Sequence, residues 1–268
     1  MMTTFEVLTQ LWNERSSAWW IILVATFIYT LAVVTHGVSR RQIAFFVASA
    51  VTLVFALASP LAVLASRYSF SAHMMQHLLL LLIVPLFVML AWPSSIARAT
   101  GDLSGPSHRS AIPLGWLAGV GAMWFWHIPA LCTAAMQHSS VFAIQATSLV
   151  AAGAAFWWPI FRPQLGRRLP PYAAAGYLFS GCVGCSLLGI YITFSPVSVC
   201  PLYAVGGGSP ELTRLIHEQW GLTHRIDQQI GGLLMWVPAC MVYLGAILAT
   251  FSNWYQVPER VVAPEGSR

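Results

Sequence analysis

His73 and His77 are spaced i, i+4, which puts both imidazoles on one face of a helix about one turn apart. They open a hydrophobic run, His-Met-Met-Gln-His followed by Leu78 to Leu82, that continues to Trp92. Imidazole is costly where a helix enters lipid, so the pair points to a ligand or proton site. Neutral imidazole binds copper, zinc and haem iron, and thioether sulfur adds a preference for Cu(I). Met74 stands three residues before His77 and so on an overlapping face. His127 follows Trp124-Phe125-Trp126, an aromatic cluster suited to the membrane interface. A later segment supplies Asp227 and, two turns deeper on roughly the same face, Met235. Two of these segments thus offer His73, His77 and His127 as metal ligands, and the third adds an acidic partner. Asp227 is placed to orient one imidazole, and Met74 or Met235 to give a soft ligand. His138, His217, His224 and Cys200 are further candidates at the same surface.

Each of these residues also has a plainer reading. A histidine inside a membrane can simply hydrogen-bond to a neighbouring helix, worth about 0.6 kcal/mol. His138, His217 and His224 read equally as solvated boundary or loop residues. Asp227 suits a helix N-terminus, whose dipole favours an anion. Gln228, Gln229, Gly231 and Gly232 after it suggest polar contacts and close helix approach. Cys182 and Cys185 form a C-x-x-C among Ser180, Gly181, Gly184, Ser186 and Gly189, which reads as a packing face rather than a redox pair. Cys200, between Pro196 and Pro201, is as much a turn residue as a thiol ligand. Five cysteines at irregular spacing do not describe a disulfide framework.

The elements that must position these groups follow from composition. The 268 residues are 57% hydrophobic and 8% charged, far below the quarter charged that soluble domains carry. A spanning helix needs about 20 mainly apolar residues. Seven segments qualify: 18–36, 42–60, 72–92, 112–130, 139–160, 172–194 and 229–251. The expected fold is all-α, a single polytopic membrane domain of seven transmembrane helices. An outer loop covers 195–228 and a cytoplasmic tail 252–268. All the basic residues are arginine, and their distribution sets the orientation. Arg15, Arg67, Arg214 and Arg225 fall on one side; Arg40, Arg41, Arg98, Arg109, Arg162, Arg167, Arg168, Arg260 and Arg268 fall on the other. The N-terminus is therefore expected outside and the C-terminus in the cytoplasm. That map gathers His73, His77, His127, His138, His217 and His224 at the outer face and leaves only His36 and His108 inside.

Several functions are set aside on the same grounds. The arginines form no basic stripe, so the charge of +5 does not indicate nucleic-acid binding. There is no Gly-rich phosphate loop, no H-E-x-x-H and no nucleophile elbow, and the chain is not read as an enzyme. Three readings stay open: a copper-handling protein, a haem-binding electron carrier using His77 and His127 as axial ligands, and a metal permease. The last is weakened by the lack of polar residues deeper along any helix.

Four blocks carry a resemblance. They are His73 to Leu79, Trp124-Phe125-Trp126-His127-Ile128-Pro129 through Leu131, Phe156-Trp157-Trp158-Pro159, and Trp220-Gly221-Leu222 with Asp227-Gln228-Gln229 and Gly232 to Pro238. In order and spacing, over about 70 to 245, they resemble the caa3-type cytochrome c oxidase assembly factors, the multi-pass CtaG membrane family. The resemblance implies a seven-helix protein of the bacterial inner (plasma) membrane that helps build a haem–copper oxidase. Its implied partners are the oxidase subunits, subunit II among them, and its implied cargo is copper. The family often carries further histidines and a Glu-His pair in the fifth span. Here that stretch reads Phe142-Ala143-Ile144-Gln145-Ala146, so fewer ligands are expected, with His138, His217 or His224 as substitutes.

Overall fold

The structure, a computed structural model, describes residues 38–92, 108–162, 168–205 and 210–255, together with 23, 24, 26, 27 and 29–31. Among the described residues the secondary structure is helical throughout. The helices are α1 (Arg40–Leu57), α2 (Pro60–Arg67), α3 (Phe70–Ala91), α4 (His108–Trp126), α5 (Pro129–Gln137), α6 (Ser139–Phe161) and α7 (Pro171–Phe194). Two short helices follow, α8 (Pro201–Val205) and α9 (Pro210–Arg214), and then the long α10 (His224–Tyr255).

Their starts are written in the sequence. Ser39 and Gln42 form a reciprocal capping box on α1. Ser59 caps α2 with Pro60 in its first turn, and Ser69 accepts from the Ala72 amide at the start of α3. Pro129, Pro171, Pro201 and Pro210 each open a helix, where the missing N–H costs nothing.

Five helices are long and apolar enough to cross a membrane: α1, α3, α6, α7 and α10. Residues 112–126 of α4 and all of α5 make a sixth if the bent pair counts as one span. One of the seven expected spans is therefore not a single continuous helix. The segment expected at 112–130 turns by 76° after Trp126. The proline ring of Pro129 disfavours helical backbone at the residue before it, and Ile128 is accordingly extended (φ −64°, ψ 125°). The expected first span, 18–36, lies largely outside the described residues. The part described is helical, with Tyr29 stacked on Phe46 at 4.0 Å and donating to the Ala91 carbonyl at 3.3 Å. Arg15, Arg98, Arg167, Arg260 and Arg268 of the charge map, His36, and most of the expected tail also lie outside the described residues. The outer loop expected at 195–228 is partly helical, and α10 begins at His224 within it.

The bundle is built around α3. Of its apolar stretch 61% is buried, against 39% or less in the other four spans. α1 and α6 pack on its C-terminal half (residues 79–91, the inner half by the expected orientation) and α10 on its N-terminal half (residues 70–78, the outer half by that expectation), while α7 lies along α10 and α4 along α6. The close approach of α7 and α10 comes from Gly189 and Gly232. A side chain at Gly232 would strike the Thr193 hydroxyl and come within 2.7 Å of the Gly189 carbonyl. The expected packing face of α7 is confirmed: Gly181 faces Phe156 and Gly184 faces Val120. Outward, α1 presents Val47, Val51 and Phe55, and α10 presents Met241, Leu244 and Leu248, apolar surface suited to lipid.

Two disulfides correct the reading of the cysteines. Cys132 is bonded to Cys200 and Cys182 to Cys240, leaving Cys185 as the buried thiol. The C-x-x-C is therefore no pair of its own.

Candidate metal centre

α3 enters the bundle at Ser69, and its first turn is held from another helix. Both carboxylate oxygens of Asp227, at the start of α10, are engaged there. Oδ1 accepts from the Ser69 hydroxyl at 2.9 Å and the Ser71 amide at 3.0 Å, and Oδ2 from the Phe70 amide at 2.6 Å. The first amides of a helix have no partner within it, and an anion there also meets the positive end of the dipole. Asp227 therefore acts on the histidines through the helix that carries them, not through a hydrogen bond to an imidazole. Gln76 donates to the Ala56 carbonyl at 2.7 Å and fixes the rotation of α3 from the opposite side.

So positioned, His73 and His77 are buried with their ring centroids 4.3 Å apart. The bend after Trp126 turns His127 inward, edge-on to His77 at 5.2 Å. The three imidazoles named from sequence are thus neighbours. Above them lies Tyr203 of α8, which sequence reading did not single out. Its ring sits 6.0 Å from His73 and 5.8 Å from Phe70, and its hydroxyl donates to the Ala65 carbonyl. The Cys132–Cys200 disulfide ties that cover to α5. Cys200, a candidate thiol ligand by sequence, is committed to this bond.

The polar atoms of this group are unusually short of partners. His73 Nε2 and both ring nitrogens of His77 are buried without a hydrogen bond. Gln145 of α6 approaches His77, but its amide nitrogen closes no bond of ordinary length. The stretch read as stripped of polar groups therefore keeps one buried amide at the imidazoles. Leaving such a group unpaired costs about 1–3 kcal/mol.

His127 adds a sharper clue. Its Nδ1 lies 2.5 Å from the Met123 carbonyl, which can only accept, so the proton of a neutral ring is on Nδ1. Nε2 is then bare, and it faces the Met74 sulfur at 3.0 Å. A thioether also only accepts. Two lone-pair donors aimed at each other form no hydrogen bond, but both can bind one cation. Three imidazoles and a thioether, with no carboxylate among them, are a donor set for a soft ion such as Cu(I). The group converges without closing: among the described residues no three His, Cys, Asp or Glu side chains form a ready metal cage.

Met235 is buried in the core on α10. Gly231, one turn before it, lets Phe70 and Met74 pack against α10, since a side chain there would come within 2.6 Å of Phe70 and 3.0 Å of Met74. His138 is exposed at the start of α6. His217 and His224 form a separate pair with centroids 4.6 Å apart. The expected polar role of Gln228 is confirmed. Its side chain bonds the Val199 amide and the carbonyls of Ile192, Ser195 and Val197, so it holds the loop that leads to Tyr203.

A family described as cytochrome c oxidase caa3 assembly factor matches residues 25–257. An uncharacterized protein of Mycobacterium leprae is 24% identical over 237 residues, covering 80% of this chain and 34% of that protein. The chain thus spans about a third of the length of this curated relative. No solved structure matches it.

Proposed function

The chain belongs to the cytochrome c oxidase caa3 assembly factor family, and from that premise we propose that it is a membrane assembly factor whose cargo is copper(I). The ion is taken up by His73, His77 and His127 with the Met74 thioether, at the outer face of a bacterial plasma membrane, and is handed to an oxidase subunit. Subunit II is the favoured recipient. The protein works by binding and release, not by catalysing a reaction.

The observation that carries this reading is the bare Nε2 of His127 facing the Met74 sulfur, beside two imidazoles with unpaired nitrogens. The disulfide at the same end supports the orientation, since such bonds persist on the oxidising side of a membrane. Edge contact between His77 and His127 leaves no slot for a porphyrin plane, which favours a bare ion over haem. Below the imidazoles, Leu80, Leu81, Leu82, Phe156 and Trp157 are buried and apolar, which favours a terminal site over a permeation path.

The test is the double variant His73→Ala/His77→Ala in a strain lacking the native gene. Loss of copper from the purified protein, with falling oxidase assembly and normal membrane levels, is the expected result. Unchanged copper content and unchanged assembly would sink the reading.

A further inference from the structure

His217 lies in the π-helical turn Leu215–Gln219 that follows α9, and His224 opens α10. In one continuous helix, residues seven apart lie about 10 Å apart along the axis. Here Gly221 between them takes φ +65°, a left-handed conformation that glycine adopts without strain. The resulting reversal brings the two rings to 4.6 Å between centroids, at 64°. His217 Nδ1 lies 2.7 Å from the Leu222 carbonyl. A carbonyl only accepts, so in the neutral ring the proton is on Nδ1 and Nε2 has the lone pair that a ligand would use. His224 is exposed and His217 half-buried. Among the described side chains, Glu218 is engaged with Arg214 at 2.7 Å and Asp227 at the start of α3.

We propose that His217 and His224 form a second metal site, a solvent-facing pair of imidazoles that takes hydrated copper(II), with water completing the coordination. Among divalent first-row ions copper(II) binds nitrogen donors most tightly. The site differs in kind from the buried group, having no sulfur and free access to water. Its place at the start of α10, three residues before Asp227, sets it at the entrance to the α3–α10 joint. The choice of copper rests on the assembly-factor reading; the pairing of the imidazoles does not.

The experiment uses the whole protein, purified through a tag without histidine, titrated with copper(II) sulfate and followed by electron paramagnetic resonance. Wild type is expected to hold one tightly bound copper(II) with splitting from two imidazole nitrogens. His217→Ala and His224→Ala should each lose the two-nitrogen signal and weaken binding by about tenfold or more. His73→Ala/His77→Ala and His138→Ala should keep it. Gly221→Ala retains both imidazoles but strains the reversal, and should weaken binding as well. Should His224→Ala fail to reach the membrane, His217→Ala decides alone, since its side chain bonds the neighbouring Leu222 carbonyl, rather than another helix of the bundle, and joins the ring pair. A two-nitrogen signal that survives His217→Ala, or its absence from wild type, overturns the site. Displacement by an equal concentration of zinc overturns the assignment to copper. Failure of the buried copper(I) reading would appear instead in His73→Ala/His77→Ala, so the two can fail separately.

Discussion

The two halves of α3 treat buried polar groups in opposite ways. In the inner half, Pro85 removes an amide and the helix loosens into the π turn Leu79–Ile83, an arrangement that leaves carbonyls short of donors. There the bundle supplies partners: Trp157 donates to the Leu82 carbonyl at 3.0 Å and Ser49 to the Val84 carbonyl at 3.3 Å. The Leu81 carbonyl packs against Gly153, where any side chain would collide with it. In the outer half the backbone is equally well served, by Asp227 and Ser69, yet imidazole nitrogens of His73 and His77 stay unpaired. A fold that finds donors for carbonyls inside lipid is able to find them for imidazoles. On the proposed copper reading, the outer half keeps these lone pairs for the incoming ion.

The strongest way to break the contrast is to remove what holds the outer half. Asp227→Ala strands the Phe70 and Ser71 amides and removes an acceptor of the Ser69 hydroxyl, at a cost of about 3 kcal/mol or more. A clear fall in thermal unfolding temperature in detergent is expected, with copper binding lost as α3 frays. Asp227→Asn keeps one acceptor and should fall between. Gly232→Ala comes next. Its added methyl strikes Thr193 and the Gly189 carbonyl, and separating α7 from α10 should cost about 1–3 kcal/mol by the same assay. Trp157→Phe is the mildest, losing one hydrogen bond to Leu82 at about 1 kcal/mol. It acts on the inner half alone, so copper binding should be unchanged; a loss would erase the distinction between the halves.

The same contrast explains what was legible in the sequence. Apolar runs of spanning length gave helices 40–57, 70–91, 139–161 and 171–194 within a few residues, because lipid leaves the backbone no alternative. The i, i+4 pair in such a run marked the outer half of α3, and the aromatic belt marked His127. The 76° turn had a local signal in Ile128-Pro129, where the residue before proline resists helix. Other features had no local signal. Asp227 meets α3 across 157 residues, and Cys132 meets Cys200 across 68. Such partners depend on how helices pack, which the periodicity of each helix does not encode. Gln145 and Tyr203 were missed for the same reason: one amide in a greasy span and one tyrosine in a loop gain meaning only beside His77 and His73.

The central claim, that the outer half of α3 with His127 holds copper(I) through imidazole and thioether, is tested most directly by X-ray absorption at the copper edge. The protein carries His217→Ala/His224→Ala to silence the outer pair, and receives one equivalent of copper(I) without oxygen. The expected spectrum shows imidazole nitrogens and one sulfur, and the sulfur vanishes in Met74→Leu, a swap of similar volume costing less than about 1.5 kcal/mol. A spectrum without sulfur, or a sulfur that persists in Met74→Leu, would contradict the claim.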